Sequence, residues 1–385
     1  MSTPQPQAAT VRDLVDAQAA TRPDAVYALQ ADGPGQITQA ALARDCRRVG
    51  AWLGRLGCAP GQTVSLVMPN GLGTLQLLLG AMHSGRVVNP VNLLSSAEQM
   101  RYVIGHSDCT LVLASAEWAD TLRGVLAQIE RPIALQIVSP DAWQADADLQ
   151  PNDSPEPQAS DPALLMYTSG TTGVPKGVLL TQANLVANAQ AISAEHGLRE
   201  GDRVLAVLPL HHINAFTVTM LAPLAHGGSL AMPPKFSAAR FWAQAHDSAC
   251  SWINVVPTMI SYLLEGEVPP RAWTAALRFC RSASAALPPE HLRAFESKFG
   301  IGIIETMGLT ETAAPSAALA VTSSCAPLPT VSGPSTAALT PLIGTSKWAR
   351  RSDPDSATAM PPVEASSSAP FGRATTGSLA TTPRA

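Results

Sequence analysis

Charged residues are scarce in this sequence, and their scarcity restricts the classes of protein to which the chain can belong. Charged side chains make up 14% of its 385 residues, and the formal net charge is −4 at pH 7. A protein that binds nucleic acid needs clustered lysine and arginine, and nothing in this balance suggests such a cluster. We therefore expect no nucleic-acid partner.

Paired cysteines, a secretion signal and a long apolar run are also missing. The six cysteines are scattered and none lies in a Cys-x-x-Cys spacing, which disfavours a zinc or redox site and indicates reduced thiols. The N-terminus has no basic region followed by an apolar core. The most apolar stretch, residues 71–82, is too short to span a bilayer and suits a buried helix. These features predict a cytoplasmic protein without a membrane span.

What the sequence does contain is an alternation of short apolar, β-rich runs with segments of helical length. Strands are predicted, among others, at residues 64–68, 111–113, 133–138, 163–167, 204–208, 252–256 and 302–304. Helices are predicted at residues 11–30, 71–83 and 182–195, and in a segment that begins at the two prolines 288 and 289. This alternation predicts an α/β fold with a largely parallel sheet.

Changes in composition predict the domain organisation. Residues 139–162 are rich in proline and aspartate, which is typical of a linker. We therefore expect one α/β subdomain at 1–150 and a second at 160–314. Residues 315–385 contain 14 Ala, 12 Ser, 10 Thr and 10 Pro, and cannot bury enough apolar surface to offset their conformational entropy. We expect this tail to be mostly disordered.

A loop rich in glycine and hydroxyl groups is the strongest functional signal. Residues 165–177 read Leu-Met-Tyr-Thr-Ser-Gly-Thr-Thr-Gly-Val-Pro-Lys-Gly. Glycines let backbone N–H groups approach an anion, hydroxyl groups add donors, and Lys176 adds a positive charge. The order differs from a Walker A loop, which ends in Gly-Lys-Ser or Gly-Lys-Thr. The candidate nucleotide-binding residues here are Thr168, Ser169, Gly170, Thr171, Thr172, Gly173 and Lys176. The alternative is a linker that binds nothing.

This loop resembles the signature sequence of the AMP-forming acyl–adenylate superfamily, which includes acyl-CoA synthetases, luciferases and the adenylation domains of peptide synthetases. Every position from Leu165 to Lys176 fits the family pattern. The resemblance implies the large N-terminal domain of the adenylate-forming fold, with layered sheets and flanking helices.

A second segment resembles the family motif that lines the acyl site. Residues 208–215 read Leu-Pro-Leu-His-His-Ile-Asn-Ala, in which His212 matches the family histidine and His211 replaces the usual Phe or Tyr. The resemblance makes His211, His212 and Asn214 candidate substrate-binding residues. A histidine pair by itself is more often structural.

A third segment, residues 281–288, resembles the small-residue loop that approaches adenine in the family. The resemblance makes Ser284 and Ala285 candidate adenine contacts, because small residues let a planar base pack on the backbone. An ordinary loop at the start of a helix is the alternative.

The fourth segment, Glu-Thr-Met-Gly-Leu-Thr-Glu at 305–311, resembles the family motif Tyr-Gly-x-Thr-Glu. The resemblance implies that Met307 replaces the tyrosine that stacks on adenine, that Thr310 contacts phosphate and that Glu311 helps to hold Mg²⁺. A carboxylate beside a triphosphate needs a hard cation between them, and Mg²⁺ prefers oxygen ligands. A solvated surface charge is the alternative for Glu311. The candidate catalytic residues are therefore Lys176, Thr310 and Glu311.

The resemblance extends over residues 11–314. In the family, a ribose-binding Thr-Gly-Asp segment, a hinge arginine and a C-terminal domain with a catalytic lysine follow, and none of them is recognisable in this sequence. We therefore expect an incomplete large domain without the small C-terminal domain. One hypothesis is a frameshift near residue 314 in a GC-rich gene. Translating the same DNA in the other two reading frames tests this hypothesis. If neither frame restores the ribose-binding aspartate and the catalytic lysine, the hypothesis is wrong.

The resemblance implies ATP-dependent activation of a carboxylic acid, with ATP, Mg²⁺ and coenzyme A as cofactors and a small-molecule acid as partner. The carboxylate attacks the α-phosphate of ATP and releases pyrophosphate, and the thiol of coenzyme A then displaces AMP. The pocket motif resembles that of fatty-acid enzymes, and the lack of a carrier domain disfavours a peptide synthetase. Two alternatives stay open: a catalytically inactive nucleotide-binding remnant, and an α/β binding protein with an accidental loop.

Overall fold

A computed structural model describes residues 8–144, 149, 154–168 and 174–313, together with the backbone of a strand at Ala317–Leu319. These residues form two sheets covered by helices, which confirms the predicted α/β fold with layered sheets. Within this part of the chain, no helix is both long and apolar enough to cross a membrane.

The elements alternate along the chain. The strands are β1 (Val26–Gln30), β2 (Gln36–Thr38), β3 (Thr63–Val67), β4 (Val87–Pro90), β5 (Leu111–Ala114), β6 (Ala134–Ile137), β7 (Pro162–Thr168), β8 (Lys176–Thr181), β9 (Arg203–Leu205), β10 (Ser229–Met232), β11 (Trp252–Val255), β12 (Phe279–Ser282), β13 (Ile303–Met307) and β14 (Ala317–Leu319). The α-helices are α1 (Val11–Thr21), α2 (Gln39–Arg55), α3 (Leu72–His83), α4 (Ala97–His106), α5 (Ala119–Leu126), α6 (Gln182–Glu195), α7 (Ala222–His226), α8 (Phe241–Asp247), α9 (Pro257–Glu265), α10 (Arg271–Thr274) and α11 (Pro289–Phe299). A π-helix spans Asn214–Leu221, and 3₁₀ turns span Ala116–Trp118 and Thr310–Thr312.

The described strands are divided between two sheets. The eight-stranded sheet has the order β14-β13-β12-β11-β9-β10-β1-β2, and the six-stranded sheet has the order β6-β5-β3-β4-β7-β8. Most neighbouring strands are parallel, as the alternation of strands and helices predicts, and antiparallel pairs lie at sheet edges: β1 with β2, β7 with β8, and β13 with β14.

Each sheet combines strands that are far apart in the sequence. β1 pairs with β10 in the eight-stranded sheet, with Ala28 opposite Leu230. β7 pairs with β4 in the six-stranded sheet, with Leu164 opposite Val88. Both sheets therefore cross the boundary predicted near residues 150–160. The division into subdomains at 1–150 and 160–314 stays a prediction.

Capping side chains fix the starts of several helices. Thr181 accepts a hydrogen bond from the backbone of Asn184, whose side chain accepts one in return from the backbone N–H of Thr181. Thr10 and Ser96 begin α1 and α4 in the same way. These reciprocal bonds satisfy backbone donors that a helix otherwise leaves unpaired. The helix predicted at 182–195 is confirmed, and its start follows directly from this cap.

Helix α3 is buried along its whole length, as its apolar sequence predicts. It packs against α2 at a glycine contact, where a Cβ atom added to Gly80 would lie 2.5 Å from the Cβ atom of Val49. Real Cβ atoms do not approach so closely, so the spacing of the two helices depends on glycine at this position.

The structure differs from the sequence predictions at several elements, of which three are instructive. The helix predicted at 11–30 ends at Thr21, because Pro23 disfavours helical geometry at the residue before it. The strand β8 was not predicted. Ala317–Leu319 forms β14 against β13, although the composition predicts disorder from residue 315. Backbone hydrogen bonds to the edge of β13 need no apolar side chains. Residues 320–385 lie outside the described residues.

The buried side chain of His196 makes the stability of the fold depend on pH. His196 follows α6, with Nδ1 3.0 Å from the carbonyl oxygen of Ile192, and its Nε2 is buried without a hydrogen-bond partner. Burial, together with a smaller contribution from the positive charge of Arg281, lowers the pKa of His196 to about 4. The unfolded chain therefore takes up a proton at this residue at higher pH than the folded chain does.

We expect His196 to make the chain less stable in acid. As the pH falls from 6.5 toward 4, protonation of the unfolded state removes about 2 to 3 kcal/mol from the free energy of unfolding. Urea denaturation at pH 7.5 and 4.5 measures this loss, which His196→Phe should reduce. His246→Phe changes an exposed histidine and should retain the wild-type loss. Equal losses in wild type and His196→Phe would contradict the assignment.

Candidate active site

The hairpin of β7 and β8 carries the two ends of the predicted phosphate loop. Thr168, the last residue of β7, pairs with Lys176, the first residue of β8. Opposed residues of antiparallel strands lie about 4.5–5.5 Å apart at Cα, so the hairpin holds Thr168 and Lys176 side by side. Lys176 is exposed. The loop residues Ser169, Gly170, Thr171, Thr172 and Gly173 lie outside the described residues.

Gly177 has a packing role in this hairpin. It lies in β8 opposite Tyr167, and a Cβ atom added to it would lie 3.3 Å from Cζ of that ring. Gly177 therefore belongs to strand β8 and not to the turn of the loop. The hydroxyl of Tyr167 lies 2.7 Å from Nδ1 of His106, and burial raises the pKa of Tyr167, so the phenol stays neutral.

A cavity of about 290 Å³ adjoins the hairpin. It is lined by the segment after β4, by α4, by the hairpin and by the histidine pair: Pro90, Val91, Asn92, Leu94, Ser95, Gln99, Val103, Tyr167, Thr168, Pro175, His211 and His212. The structure therefore brings two predicted groups together, since one end of the phosphate loop and the histidines of the acyl motif share one cavity.

The histidine pair is neutral in this cavity. The ring centroids of His211 and His212 are 4.4 Å apart. Burial lowers the pKa of His211 to about 3, with a further contribution from His212, and burial also lowers the pKa of His212. His211 Nε2 is buried and has no hydrogen-bond partner within the part of the chain that the structure describes. Buried polar atoms normally have a hydrogen-bond partner, so a ligand in the cavity could supply the missing one. The neutral imidazole could act as donor or as acceptor in that bond.

Asn214 does not line the cavity but lies in a buried polar cluster beside it. Its Oδ1 accepts hydrogen bonds from Arg281 Nη1 at 2.6 Å and from Asn254 Nδ2 at 3.2 Å. Its own Nδ2 donates to Ser284 Oγ at 3.3 Å. Asn214 thus connects the π-helix after the histidine pair with the loop after β12, and sequence reasoning did not identify Arg281 or Asn254.

The predicted adenine-contacting residues lie where two adjacent parallel strands end. Ser284 and Ala285 are exposed in the loop after β12, and Ser284 has a φ of 76°, a conformation that few non-glycine residues adopt. Met307 is 68% exposed at the end of β13. Ligands of open α/β sheets bind at the carboxyl ends of strands, so this position suits a nucleotide.

The last predicted residues, Thr310 and Glu311, lie in the 3₁₀ turn that follows β13. This turn packs against β8, and Asn188 of α6 donates a hydrogen bond to the carbonyl oxygen of Thr312 at 3.2 Å. The fold thus brings the turn close to the strand that begins with Lys176. Glu311 is exposed.

The donor set around Glu311 is compatible with Mg²⁺ shared with a nucleotide. Among the described residues, no group of three or more His, Cys, Asp or Glu side chains could hold a metal ion. Mg²⁺ is usually bound by one or two carboxylates together with substrate phosphates and water. A single exposed carboxylate next to the phosphate-loop strand fits this kind of site.

Comparison with known proteins decides the family. The AMP-binding enzyme family matches residues 15–345. The chain belongs to the AMP-binding enzyme family. The match continues beyond residue 314, where the recognisable motifs end. Two curated relatives of this AMP-binding enzyme are a sulfoacetate–CoA ligase from Cupriavidus necator, 51% identical over 80% of this chain and 60% of the relative, and an oxalate–CoA ligase from Arabidopsis thaliana, 30% identical over 78% and 61%.

The fold of this chain is similar to that of solved structures. The inhibitor-bound N-terminal domain of FACL13 from Mycobacterium tuberculosis has a TM-score of 0.71 at 24% identity, over 79% of this chain and 77% of that one. ATP-bound MatB from Rhodopseudomonas palustris has a TM-score of 0.71 at 24% identity, over 78% and 60%. At such identities the likeness shows the fold alone. The chain spans about 60% of the length of the two curated ligases.

Proposed function

We propose that this AMP-binding enzyme carries the ATP- and acid-binding part of an AMP-forming acid–CoA ligase whose acid is short and polar. The observation that carries the proposal is the 51% identity with a sulfoacetate–CoA ligase over 80% of the chain. Relatives that ligate oxalate and malonate support the same class. Sulfoacetate, oxalate and malonate each carry two acidic groups on two or three carbon atoms.

In the proposed reaction, an oxygen of the acid forms a bond with the α-phosphorus of ATP while the bond from that phosphorus to the bridging oxygen breaks. Pyrophosphate leaves with the electron pair, and the product is acyl-AMP. The thiol of coenzyme A then forms a bond with the acyl carbon, loses its proton, and AMP leaves. Such transfers depend mainly on positioning and on stabilising charge at the phosphates.

The residues of the site have separate tasks in this proposal. Lys176 and Thr168 lie at the two ends of the phosphate loop and contribute a positive charge and a hydroxyl donor to the phosphates. His211, neutral and with a free ring nitrogen, donates or accepts a hydrogen bond at the acid. Glu311 would hold Mg²⁺, which when bound offsets negative charge on the phosphates. Met307 and the loop of Ser284 and Ala285 provide a surface for adenine.

A pyrophosphate-release assay tests the proposal. Purified chain, ATP and Mg²⁺ are combined with sulfoacetate, oxalate, malonate, acetate, hexanoate or benzoate, and acyl-AMP is detected by mass spectrometry. We expect release that requires an acid and is fastest with one of the first three. Hexanoate tests a fatty-acid substrate, and mixtures without acid are the blank. No release from a chain shown to be folded by circular dichroism would contradict adenylation. Nucleotide binding in that case would identify an inactive remnant.

A further inference from the structure

Arg281 carries a buried positive charge that no carboxylate among the described residues neutralises. The residue lies in β12 and is 1% exposed. Its Nη1 donates to Asn214 Oδ1 at 2.6 Å and to Asn254 Oδ1 at 2.8 Å, while its Nε is buried without a hydrogen-bond partner. Burial lowers the pKa of Arg281 to about 9, and among the described residues no carboxylate contributes to that shift. We call Arg281, Asn214 and Asn254 the arginine–asparagine cluster.

Such a charge is strongly unfavourable unless something compensates it. Removing a guanidinium from water is costly, and neutral amides recover only part of the lost hydration. The two asparagine oxygens both bind Nη1, which leaves Nε without an acceptor. An anion that binds beside the guanidinium would compensate its charge, since guanidinium groups match carboxylates and other oxyanions with two parallel hydrogen bonds.

The position of the cluster in the fold relates it to the proposed acid-binding cavity. Asn254 and Arg281 are opposed in neighbouring parallel strands, so they lie on the same face of the eight-stranded sheet. Asn214 begins the π-helix two residues after His212, which lines the cavity. In the same π-helix, the hydroxyl of Thr217 is also buried without a partner. Among the described residues, unpaired polar atoms thus occur in the π-helix that begins two residues after the cavity-lining His212, and on Arg281, which is hydrogen-bonded to the first residue of that helix.

We infer that the arginine–asparagine cluster binds the second acidic group of a short dianionic acid, a sulfonate or a carboxylate. In this arrangement the reacting carboxylate of the acid is directed toward His211 and Lys176. This inference rests on the proposed ligase function and extends it by assigning residues to substrate selection. It predicts selectivity by charge, in which an acid of equal shape without the second charge binds poorly.

Isothermal titration calorimetry with the full chain tests the inference. Sulfoacetate is compared with methylsulfonylacetate, which is closely similar in shape but has a neutral end, in the presence of a non-hydrolysable ATP analogue. We expect sulfoacetate to bind at least about tenfold more tightly to the wild type, because hydrogen bonds to charged groups are the strong ones. In Arg281→Gln the ratio should fall to about twofold or less. Arg240→Gln, which removes a cation from an exposed ion pair, should keep the wild-type ratio.

Asn254→Asp is a second variant that avoids removing the arginine. It keeps the side-chain shape and places a carboxylate where Nη1 already donates at 2.8 Å, and this charge pairing outweighs the loss of the hydrogen bond from Asn254 Nδ2 to Asn214 Oδ1. We expect this variant to be more stable to urea than the wild type and to lose the preference for sulfoacetate. A purely structural role of Arg281 would give the stability gain with an unchanged preference. This variant also keeps the test decisive if Arg281→Gln does not fold.

The outcomes separate this inference from the proposed function. Equal binding of the two acids, binding of neither by folded protein, or a preference that survives both variants would overturn the inference. Pyrophosphate release that is equally fast with acetate would support the ligase and also overturn the inference. A charge preference without pyrophosphate release would support the cluster and contradict the ligase. Malonate, titrated in parallel, distinguishes a carboxylate site from a sulfonate site.

Discussion

Lys176→Ala is expected to lower kcat/KM for acid-dependent pyrophosphate release by about 100- to 1000-fold, the usual loss for one donor aimed at developing charge. Lys176 begins β8, opposite Thr168, so the hairpin fixes its backbone at one end of the phosphate loop. Alanine keeps the strand pairing and removes only the charge. Pyrophosphate release with the preferred acid, measured against ATP concentration, gives the effect on kcat and on KM.

Lys235→Ala is the matched control for this substitution. Lys235 is exposed in the segment after β10, so its removal changes the net charge by the same amount. The control should retain the wild-type kcat/KM. If Lys176→Ala retained more than about a tenth of that value while folded, the assignment of Lys176 to the phosphates would be wrong.

Gly80→Ala is expected to lower the free energy of unfolding by about 2 to 3 kcal/mol. The added methyl group would lie 2.5 Å from Cβ and 2.7 Å from Cγ1 of Val49, so α2 and α3 must move apart. Helix α3 is buried along its whole length and Val49 lies on the buried face of α2, where packing is dense and a shift affects many contacts. Urea denaturation at pH 7.5 measures the loss.

Gly124→Ala gives the opposite expectation for the same chemical change. Gly124 lies in α5, and a Cβ atom added there would meet nothing within 4 Å. Alanine has the higher helix propensity, so this variant should gain up to about 1 kcal/mol. A loss of stability at Gly124, or none at Gly80, would contradict the packing argument.

Local signals explain which elements could be predicted from the sequence. Helix α6 was predicted with the bounds that it has, and the residues that cap it, Thr181 and Asn184, are close in sequence. Helix α11 was predicted because Pro288 and Pro289 suit its start. Strand β8 was missed because it is stabilised by pairing with β7 and because its glycine is typical of a loop. The sequence also carries no sign that each sheet combines strands from both sides of the predicted boundary near residues 150–160. Pairing between strands that are far apart in the sequence leaves no local pattern.

The candidate site was predictable only in part. The order of motifs indicated the phosphate loop and the histidine pair, and the structure brings Thr168 and both histidines to one cavity. The roles of all the candidate site residues, including Lys176 and the histidine pair, stay predictions. The arginine–asparagine cluster was missed because an arginine is usually a surface residue, and its burial depends on strand register. The apolar residues before Arg281, Phe279 and Cys280, are the one sequence signal of that burial.

The pairing of β1 with β10 also sets the order in which the chain can acquire structure during synthesis. Ala28 leaves the ribosome about 200 residues before its partner Leu230, which at about 5–20 residues per second is an interval of about 10–40 s. Until then β2 is the only one of its strand neighbours in the folded sheet that β1 can pair with, and a two-stranded unit is marginally stable in water by itself. The nascent N-terminal segment therefore has to remain soluble with one edge exposed until residues beyond 230 emerge, and factors that bind extended apolar chains during translation should raise the yield of folded protein.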